Sequence, residues 1–290
     1  MELIKKRFGY LQVNPLPSEK ELENHYKNKY FQDAHGGYEK EYSQDEKVWL
    51  SSVEWLIVKG LSHFKSGGKV LDIGCGEGYL LNELAKNGYG IKGIDFSSFG
   101  IEKNNPHLKN AFQEDNIFEY INSANDLYTY DCISLMHVIE HVVDPERLLY
   151  QIKDKMHDDA IFIIRFPNDN SKLHHYIEEK KDIDNHWWLS YPEHISYFNA
   201  ENMEVTLNEI GFTVVNKVSE HPIDFNLLND NSNYIKDPSK GKNTHNFRVL
   251  LDNFLFNTDK DKYYSILQMY GNMGIGRSLT FFCKKSEPGN

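Results

Sequence analysis

The sequence predicts an α/β fold built on a doubly wound, mostly parallel sheet. Short apolar runs with the composition of buried strands alternate with segments in which apolar residues recur at helical spacing. Glycine-containing turns separate strand-like from helical segments, most clearly at residues 74–78. Alternating strands and helices are typical of a parallel sheet covered on both faces. With 290 residues, the chain is long enough for one large domain with extensions, or for one domain and a small second one.

The first part of the chain, residues 1–42, is aromatic and polar and shows no strand pattern. Ser18, with Glu21 three residues later, predicts the capping box of a helix. A loop containing Gly36 and Gly37 is expected to follow this helix and to allow movement. The segment is dense in tyrosine, with Tyr10, Tyr26, Tyr30, Tyr38 and Tyr42.

A second helix is predicted directly before the first strong strand. Ser43 and Glu46 have the spacing of a capping box. The apolar residues that follow fall on one helical face and therefore predict packing on the core; they are Trp49, Val53, Leu56, Ile57, Gly60, Leu61 and Phe64.

Seven strands are predicted from apolar and β-branched runs. They are residues 69–73, 90–96, 110–117, 130–136, 160–168, 212–218 and 278–283. Between them, one helix begins at Tyr79, another begins with Asp144 as its cap and Pro145 as its first residue, and a third ends at Gly211. One further helix is expected at about residues 247–256.

These elements predict three units. Residues 1–66 would form an N-terminal helical extension that either packs on the sheet or closes over the site as a lid. Residues 67–220 and 278–285 would form the core domain, and residues 221–277 a helical insertion that could cap the substrate.

Composition excludes several classes of protein. A formal charge of −11 argues against a nucleic-acid partner, because such proteins need a basic face. No apolar run is long enough to span a membrane, and the first residues lack the apolar core of a signal peptide, so we expect a cytoplasmic protein. Cys75, Cys132 and Cys283 have no metal-binding spacing and are expected to be small, reduced core residues.

The glycine turn is the strongest chemical signal in the sequence. It follows a strand and precedes a helix, so backbone N–H groups at a helix N-terminus would be free to bind a carboxylate or phosphate. Counted from Gly74, the dinucleotide fingerprint G-x-G-x-x-G fails because Tyr79 replaces the third glycine, and the phosphate-loop pattern is absent as well. Asp95 ends the next strand about twenty residues later, at the spacing of an acid that binds a ribose; it could instead cap the following helix.

The pattern acid-x-Gly-x-Gly-x-Gly, formed by Asp72, Gly74, Gly76 and Gly78, resembles that of the class I S-adenosylmethionine-dependent methyltransferases. The pair Glu140-His141 and the helix start at Asp144 and Pro145 resemble the same family after its fourth strand. The resemblance covers about residues 69–217. It implies a Rossmann-like seven-stranded sheet and S-adenosyl-L-methionine as cofactor.

The resemblance also implies the residues that bind this cofactor. It places Asp115 against the adenine amino group. The full implied set is Asp72, Gly74, Cys75, Gly76, Asp95, Phe96, Asp115, Asn116, Met136 and His137.

Methyl transfer from a sulfonium requires alignment of donor and acceptor and, for a hydroxyl or amine, removal of a proton. The candidate bases are His194, His137 and His141, because histidine has a pKa near neutrality and these residues follow the fourth and fifth strands. A buried structural role is equally compatible with His141. A mechanism without a single base also stays open.

The segment from His137 to His141 also spells H-x-x-E-H, a motif found in zinc proteases. That motif requires a helix that places both histidines on one face. Here the first histidine ends a strand and the helix starts only at Asp144, so we expect no metal site.

The N-P-P-[YF] signature of base methylation is absent after the fourth strand. We therefore expect a small-molecule acceptor and O-methylation of a sugar or nucleotide-sugar. The alternatives are N- or C-methylation of a small metabolite, or a catalytically silent protein that binds S-adenosylmethionine. The sequence does not indicate an oligomeric state.

Overall fold

The computed structural model describes residues 1–18, 21, 42–123, 126–183 and 186–286. Its strands are β1 (Glu2–Lys5), β2 (Leu11–Asn14), β3 (Lys69–Ile73), β4 (Gly90–Asp95), β5 (Phe112–Glu114), β6 (Cys132–Met136), β7 (Ile161–Pro167), β8 (Ser196–Tyr197), β9 (Phe212–Ser219) and β10 (Ser278–Lys285). Seven of them form the central sheet, in the order β5-β4-β3-β6-β7-β10-β9.

The central sheet is parallel except at β10. Strands β5, β4, β3, β6 and β7 pair in parallel, whereas β10 runs antiparallel to both β7 and β9. The predicted doubly wound, mostly parallel seven-stranded sheet is confirmed. The carboxyl ends of β3 to β7 and of β9 therefore meet the amino end of β10 at one edge of the sheet.

Helices cover both faces of the sheet. They are α1 (Gln44–Ser62), α2 (Tyr79–Lys86), α3 (Phe99–Asn104), α4 (Ile117–Ser123), α5 (Pro145–Lys155), α6 (Lys172–Lys181), α7 (Ala200–Ile210), α8 (Gly241–Thr258) and α9 (Lys260–Asn272). The predicted capping boxes form at Ser18 with Glu21 and at Ser43 with Glu46. Asp144 caps α5 as predicted, by accepting from the N–H of Arg147.

Alternate residues of the strands enter two hydrophobic cores. Leu71, Ile73 and Ile133 lie in the core on one face, and Val70 and Cys132 lie in the core on the other. This alternation follows from the two-residue period of a strand. All three cysteines are free and buried, as predicted.

The prediction that residues 1–42 lack strands is wrong. Strands β1 and β2 form an antiparallel hairpin, and β2 pairs with β8 to make a second, three-stranded sheet. Each strand has four residues or fewer, which is too short for an alternating pattern to stand out. Tyr10 is buried and stacks on Phe198, with ring centroids 4.6 Å apart.

Parts of the predicted N-terminal layer lie outside the described residues. These are the remainder of the helix expected after Ser18, the loop containing Gly36 and Gly37, and Tyr26, Tyr30 and Tyr38. The function of residues 1–66 as a lid, and the three-unit division of the chain, stay predictions.

The insertion contains more helix than the single segment predicted at about residues 247–256. Two helices, α8 and α9, account for most of it. Asp259 follows α8 directly and caps α9 by accepting from the N–H of Lys262. This local capping signal was missed in the sequence. Within the part of the chain that the structure describes, no helix combines the length and apolarity needed to cross a membrane.

The packing of α1 on the sheet can be tested at Gly60. A Cβ there would lie 2.2 Å from the ring of Phe282, which is fully buried. Overpacking costs about 1–3 kcal/mol, against a gain of about 1 kcal/mol in helix propensity. We expect Gly60→Ala to lower the free energy of unfolding by up to about 2 kcal/mol in urea melts. Gly67→Ala is the control, because no atom lies within 4 Å of its added Cβ; equal stability of both variants would contradict this packing.

Candidate active site

The turn after β3 has the backbone conformation that only glycine adopts easily. Gly74, Gly76 and Gly78 have φ angles of +74°, +51° and +76°. A Cβ on Gly74 would lie 2.4 Å from Val138, so this glycine allows the segment after β6 to pack against the turn. A Cβ on Gly76 would meet no atom of the described residues within 4 Å. Among these residues nothing occupies the space beside Gly76, where a ligand can approach the main chain.

Asp95, at the end of β4, is bonded to this turn. Its carboxylate accepts from the N–H of Gly76 at 2.8 Å and from the N–H of Ser97 at 3.3 Å. Burial raises the pKa of Asp95 to about 6, although these backbone hydrogen bonds oppose the shift. The residue before α3 is Ser98, so Asp95 is not its N-cap. The contact with a ribose stays a prediction.

The structure places Asp72 inside the sheet. It accepts a hydrogen bond of 2.7 Å from the hydroxyl of Ser134, and burial raises its pKa to about 7. Cys75 is buried beside Gly93, and burial raises the pKa of its thiol well above the usual value. Met136, at the end of β6, is half-buried against the core. Their contacts with a cofactor stay predictions.

The remaining predicted cofactor residues follow β4 and β5. Asp115 accepts from the side-chain amide of Gln113 at 2.9 Å and from the N–H of Asn116 at 2.8 Å. Asn116 in turn accepts from two N–H groups in the first turn of α4 and therefore acts as its cap. Phe96 lies against Phe118 with ring centroids 6.4 Å apart. The sheet brings all these residues to the edge that carries the glycine turn.

A second group of polar residues follows β6. His137 has a positive φ of 54°, which is uncommon for a residue with a side chain. Its ring lies 3.2 Å from the carboxylate of Glu140 and 3.8 Å from that of Glu220. Burial would lower the pKa of His137, but its hydrogen bond to Glu140 and the charges of both carboxylates outweigh burial and raise the pKa to about 9. His137 is therefore an imidazolium at neutral pH.

His194 lies in the opposite charge state. Burial lowers the pKa of His194 to about 4, although the charge of Glu140 opposes this shift. Its Nδ1 atom is buried and, among the described residues, has no hydrogen-bond partner. Its ring contacts that of His141 edge-on, with centroids 5.0 Å apart. Nδ1 of His141 donates to the carbonyl of Glu193 at 2.7 Å, because a carbonyl can only accept.

Two contacts connect these histidines to the glycine turn. Val138 packs against the turn at Gly74, as described above. The N–H of Ile195 donates to the carbonyl of Glu140 at 2.9 Å, which holds the His194 segment beside the segment after β6. The structure thus brings His137, His141 and His194 together next to the turn.

Three side chains in this cluster could hold a metal ion. Donor atoms of Glu140, His141 and His194 lie within 4.8 Å of one another. With bonds of about 2.1 Å, the ligand atoms around a tetrahedral zinc ion are about 3.4 Å apart. Ligand atoms as far apart as 4.8 Å would have to move closer together to bind zinc. The segment from Ile139 to His141 forms a single 3-10 turn, not the helix of a zinc protease. The absence of a metal stays a prediction.

Sequence reasoning missed several buried charges beside the histidines. Arg165 lies in β7, donates to Glu54 at 3.1 Å and lies 3.7 Å from Glu220. Asp169 follows β7, and Arg277 precedes β10. Arg165 could have been recognised from the sequence, because it is the one charged residue in an apolar strand. Asp169 and Arg277 flank strands, where charged residues are common in any protein.

Asn168, another polar residue after β7, has a structural role. Its side chain donates to the carbonyls of Gly274 and Gly276 and accepts from the N–H of Ala200. It also borders a cavity of about 410 Å³ between the β1–β2 hairpin and the start of α7. None of the three histidines or the glycine turn lines this cavity.

Comparison with known proteins identifies the family. The sequence model of a family described as "Methyltransferase domain" matches residues 54–217, more than half of the chain. The chain belongs to this methyltransferase family. S-adenosylmethionine is the cofactor, which confirms the resemblance seen in the glycine turn.

Curated relatives of the methyltransferase include two named "Ubiquinone biosynthesis O-methyltransferase". The protein of Glaesserella parasuis is 29% identical over 115 residues, covering 37% of this chain and 49% of the relative. The mitochondrial protein of Schizosaccharomyces pombe is 30% identical over 103 residues, covering 34% and 38%. The chain thus spans about half or less of the length of these relatives.

Solved structures share the fold of the methyltransferase. A SAM-dependent methyltransferase from Archaeoglobus fulgidus aligns with a TM-score of 0.53 and 21% identity, covering 81% of this chain and 94% of that chain. A Burkholderia thailandensis 1,6-didemethyltoxoflavin-N1-methyltransferase aligns with a TM-score of 0.53 and 12% identity, covering 96% and 95%. At such identities the likeness shows the fold alone.

The open side of the glycine turn gives a first test of the cofactor site. We expect Gly76→Val to abolish S-adenosylmethionine binding in calorimetry, because its side chain would fill the space beside the backbone. Gly88→Val is the matched control: Gly88 also has a positive φ and an open Cβ position, but it ends α2 away from the turn. Unchanged affinity of a folded Gly76→Val variant would contradict the site.

A binding experiment can distinguish the predicted contact of Asp95 with the ribose from its hydrogen bond to the glycine turn. We expect Asp95→Ala to weaken S-adenosylhomocysteine binding by about 1.5–3 kcal/mol, the range for a hydrogen bond to a charged group. The loss should largely disappear when the ligand is the 2′,3′-dideoxy analogue. An equal loss for both ligands would mean that Asp95 acts only through the turn.

Proposed function

We propose that this methyltransferase transfers the methyl group of S-adenosylmethionine to a hydroxyl of a small molecule, and that the acceptor is of sugar or nucleotide-sugar type. The observation that carries the proposal is the Nδ1 atom of His194, which is buried and accepts or donates no hydrogen bond among the described residues; burial also lowers the pKa of this ring to about 4. An orphaned buried nitrogen of this kind is suited to receive a proton.

The cofactor would lie over the glycine turn at the carboxyl ends of β3 and β4. The free N–H groups at the start of α2 favour the negative charge of a carboxylate there. Asp95 would accept from the ribose, and Asp115 and Asn116 would lie near the adenine. The sulfonium methyl would then face the segment after β6.

The transfer is an in-line displacement in which alignment provides most of the rate. A bond forms between the acceptor oxygen and the methyl carbon while the carbon–sulfur bond breaks. The electron pair of that bond passes to sulfur, which becomes the thioether of S-adenosylhomocysteine. The hydroxyl proton passes to the ring of His194.

The charges around His194 favour its function as the base over that of His137. A base must be unprotonated before it reacts, and the raised pKa of His137 keeps that ring protonated at neutral pH. Glu140 is ionised, because the histidines hold its pKa at about 2 despite burial. Its negative charge would stabilise the imidazolium that forms when His194 takes the proton.

Buried polar atoms near His194 support a hydroxylated acceptor. Side-chain atoms of Glu140, Asp169, His194 and Arg277 are buried without hydrogen-bond partners among the described residues. Hydroxyl groups both donate and accept, so they can satisfy such a mixed set. The names of the curated relatives, O-methyltransferases, support transfer to oxygen.

The proposal is tested by release of S-adenosylhomocysteine with a panel of sugars, nucleotide-sugars, phenols and amines. We expect turnover with a hydroxylated acceptor. His194→Gln should lower kcat by about 100- to 10,000-fold, the range for a general base, with unchanged cofactor affinity. His141→Gln is the neighbouring control and should lower kcat less. Transfer only to amines, or no transfer with intact cofactor binding, would contradict O-methylation.

The pH profile gives an independent check of the base. A residue with a pKa of about 4 is already unprotonated at pH 5, so kcat should change little between pH 5 and 8. A kcat that rises through an inflection between pH 5 and 8 would contradict His194 as the base.

A further inference from the structure

Asp169 and Arg277 lie next to each other at the edge of the central sheet, close to His194, the proposed base. Ser278 pairs with Pro167 in the β7–β10 ladder, and the N–H of Asn168 donates to the carbonyl of Arg277 at 2.9 Å. The N–H of Asp169 donates to the carbonyl of Phe198 at 2.7 Å. Backbone hydrogen bonds thus hold Arg277 to the end of β7 and Asp169 to the segment after β8.

The buried carboxyl group of Asp169 lacks hydrogen-bond partners among the described residues. The residue is 1% exposed, and neither of its oxygens accepts a hydrogen bond from any described residue. Its nearest cationic neighbours are Nη1 of Arg277 at 3.8 Å and Nδ1 of His194 at 4.0 Å. A buried polar group without a hydrogen bond destabilises the fold, so this arrangement favours the binding of a further hydrogen-bonding group.

Arg277 is held in place from its other side. Its Nη1 atom lies 4.0 Å from Asp224, which accepts from the hydroxyl of Tyr234 at 2.6 Å and lies 3.3 Å from the ring of His174. About a third of the Arg277 side chain is accessible, but its Nη1 atom is buried and makes no hydrogen bond with a described residue. Asp224 therefore has hydrogen-bond partners of its own, whereas the oxygens of Asp169 accept no hydrogen bond from the described residues.

The spacing fits a bridging oxygen. An oxygen about 2.8 Å from two atoms can join them when they are about 4 Å apart, with an angle near 90° between the two bonds. A hydroxyl can donate to Asp169 and accept from Arg277 in this position. A second, adjacent hydroxyl can donate to the other oxygen of Asp169. The neighbouring charges of both signs disfavour an ionic group, because Arg277 and His137 repel cations and the carboxylates repel anions.

We propose that Asp169 and Arg277 bind a vicinal diol of the acceptor, next to the hydroxyl from which His194 takes the proton. This inference rests on the proposed function and defines the recognised chemistry as two adjacent, uncharged hydroxyls. Such a pair occurs on a sugar ring and on a catechol ring. Asp169 and Arg277 thus determine specificity and take no part in the bond changes.

The first measurement is binding to the full-length protein saturated with S-adenosylhomocysteine. The probes are methyl α-D-glucopyranoside, its monodeoxy analogues, catechol and phenol, each studied by calorimetry. We expect one diol class to bind and its counterpart without the second hydroxyl to bind about 10- to 100-fold more weakly. Preference for the glucoside or for catechol distinguishes the two sources.

The second measurement compares variants. Asp169→Asn should weaken binding of the preferred diol by about 10- to 100-fold, raise KM more than it lowers kcat, and leave cofactor affinity and the melting temperature close to wild type. The Asp169→Asn substitution should leave the affinity for the matched single-hydroxyl probe unchanged. Arg277→Lys should give a smaller loss of the same kind. Asp158→Asn, on an exposed ion pair with Lys285, is the control and should change nothing.

The outcomes separate the two proposals. Diol binding that depends on Asp169, without methyl transfer to any acceptor, would support the diol site and overturn the proposed function. Methyl transfer with equal affinity for diols and single hydroxyls, or with an Asp169→Asn variant that still distinguishes them, would overturn the diol site alone. Absence of both binding and transfer would overturn both.

Discussion

The packing of Val138 against Gly74 determines where the chemistry of this protein can occur. The contact requires a glycine, because any Cβ at that position would overlap the valine side chain. It brings the segment after β6 onto the turn after β3, so the cofactor turn and the histidine cluster share one edge of the sheet. Every other feature of the site, from the ion pairs of His137 to the position of His194, builds on this arrangement.

Electrostatics then give two neighbouring histidines opposite protonation states. His137 lies between Glu140 and Glu220 and keeps its proton. His194 is buried beside other potential cations and loses its proton. Glu140 favours the protonated form of both rings: it is in direct contact with His137, whereas burial outweighs its charge at His194. Enzymes commonly assign acid and base functions by separating the pKa values of nearby groups in this way.

Local signals in the sequence were sufficient to predict the strands of the central sheet and the glycine turn. Strands such as β3 and β7 are continuous apolar runs, and the glycine spacing is readable without any knowledge of contacts. The β1–β2 hairpin was missed because its stability depends on distant partners: Gln12 donates to Ser196, 184 residues away. Asp169 and Arg277 were missed for the same reason, since only the β7–β10 register brings them together.

The three-stranded sheet also has a consequence for the order in which the protein is assembled during synthesis. Strand β2 is made early, but its partner β8 and the adjoining His194 emerge only after five strands of the central sheet. Contacts between such distant residues form late, because a long loop must close first. The acid–base half of the site is therefore completed after most of the sheet exists. A nascent chain that already carries the glycine turn still lacks His194.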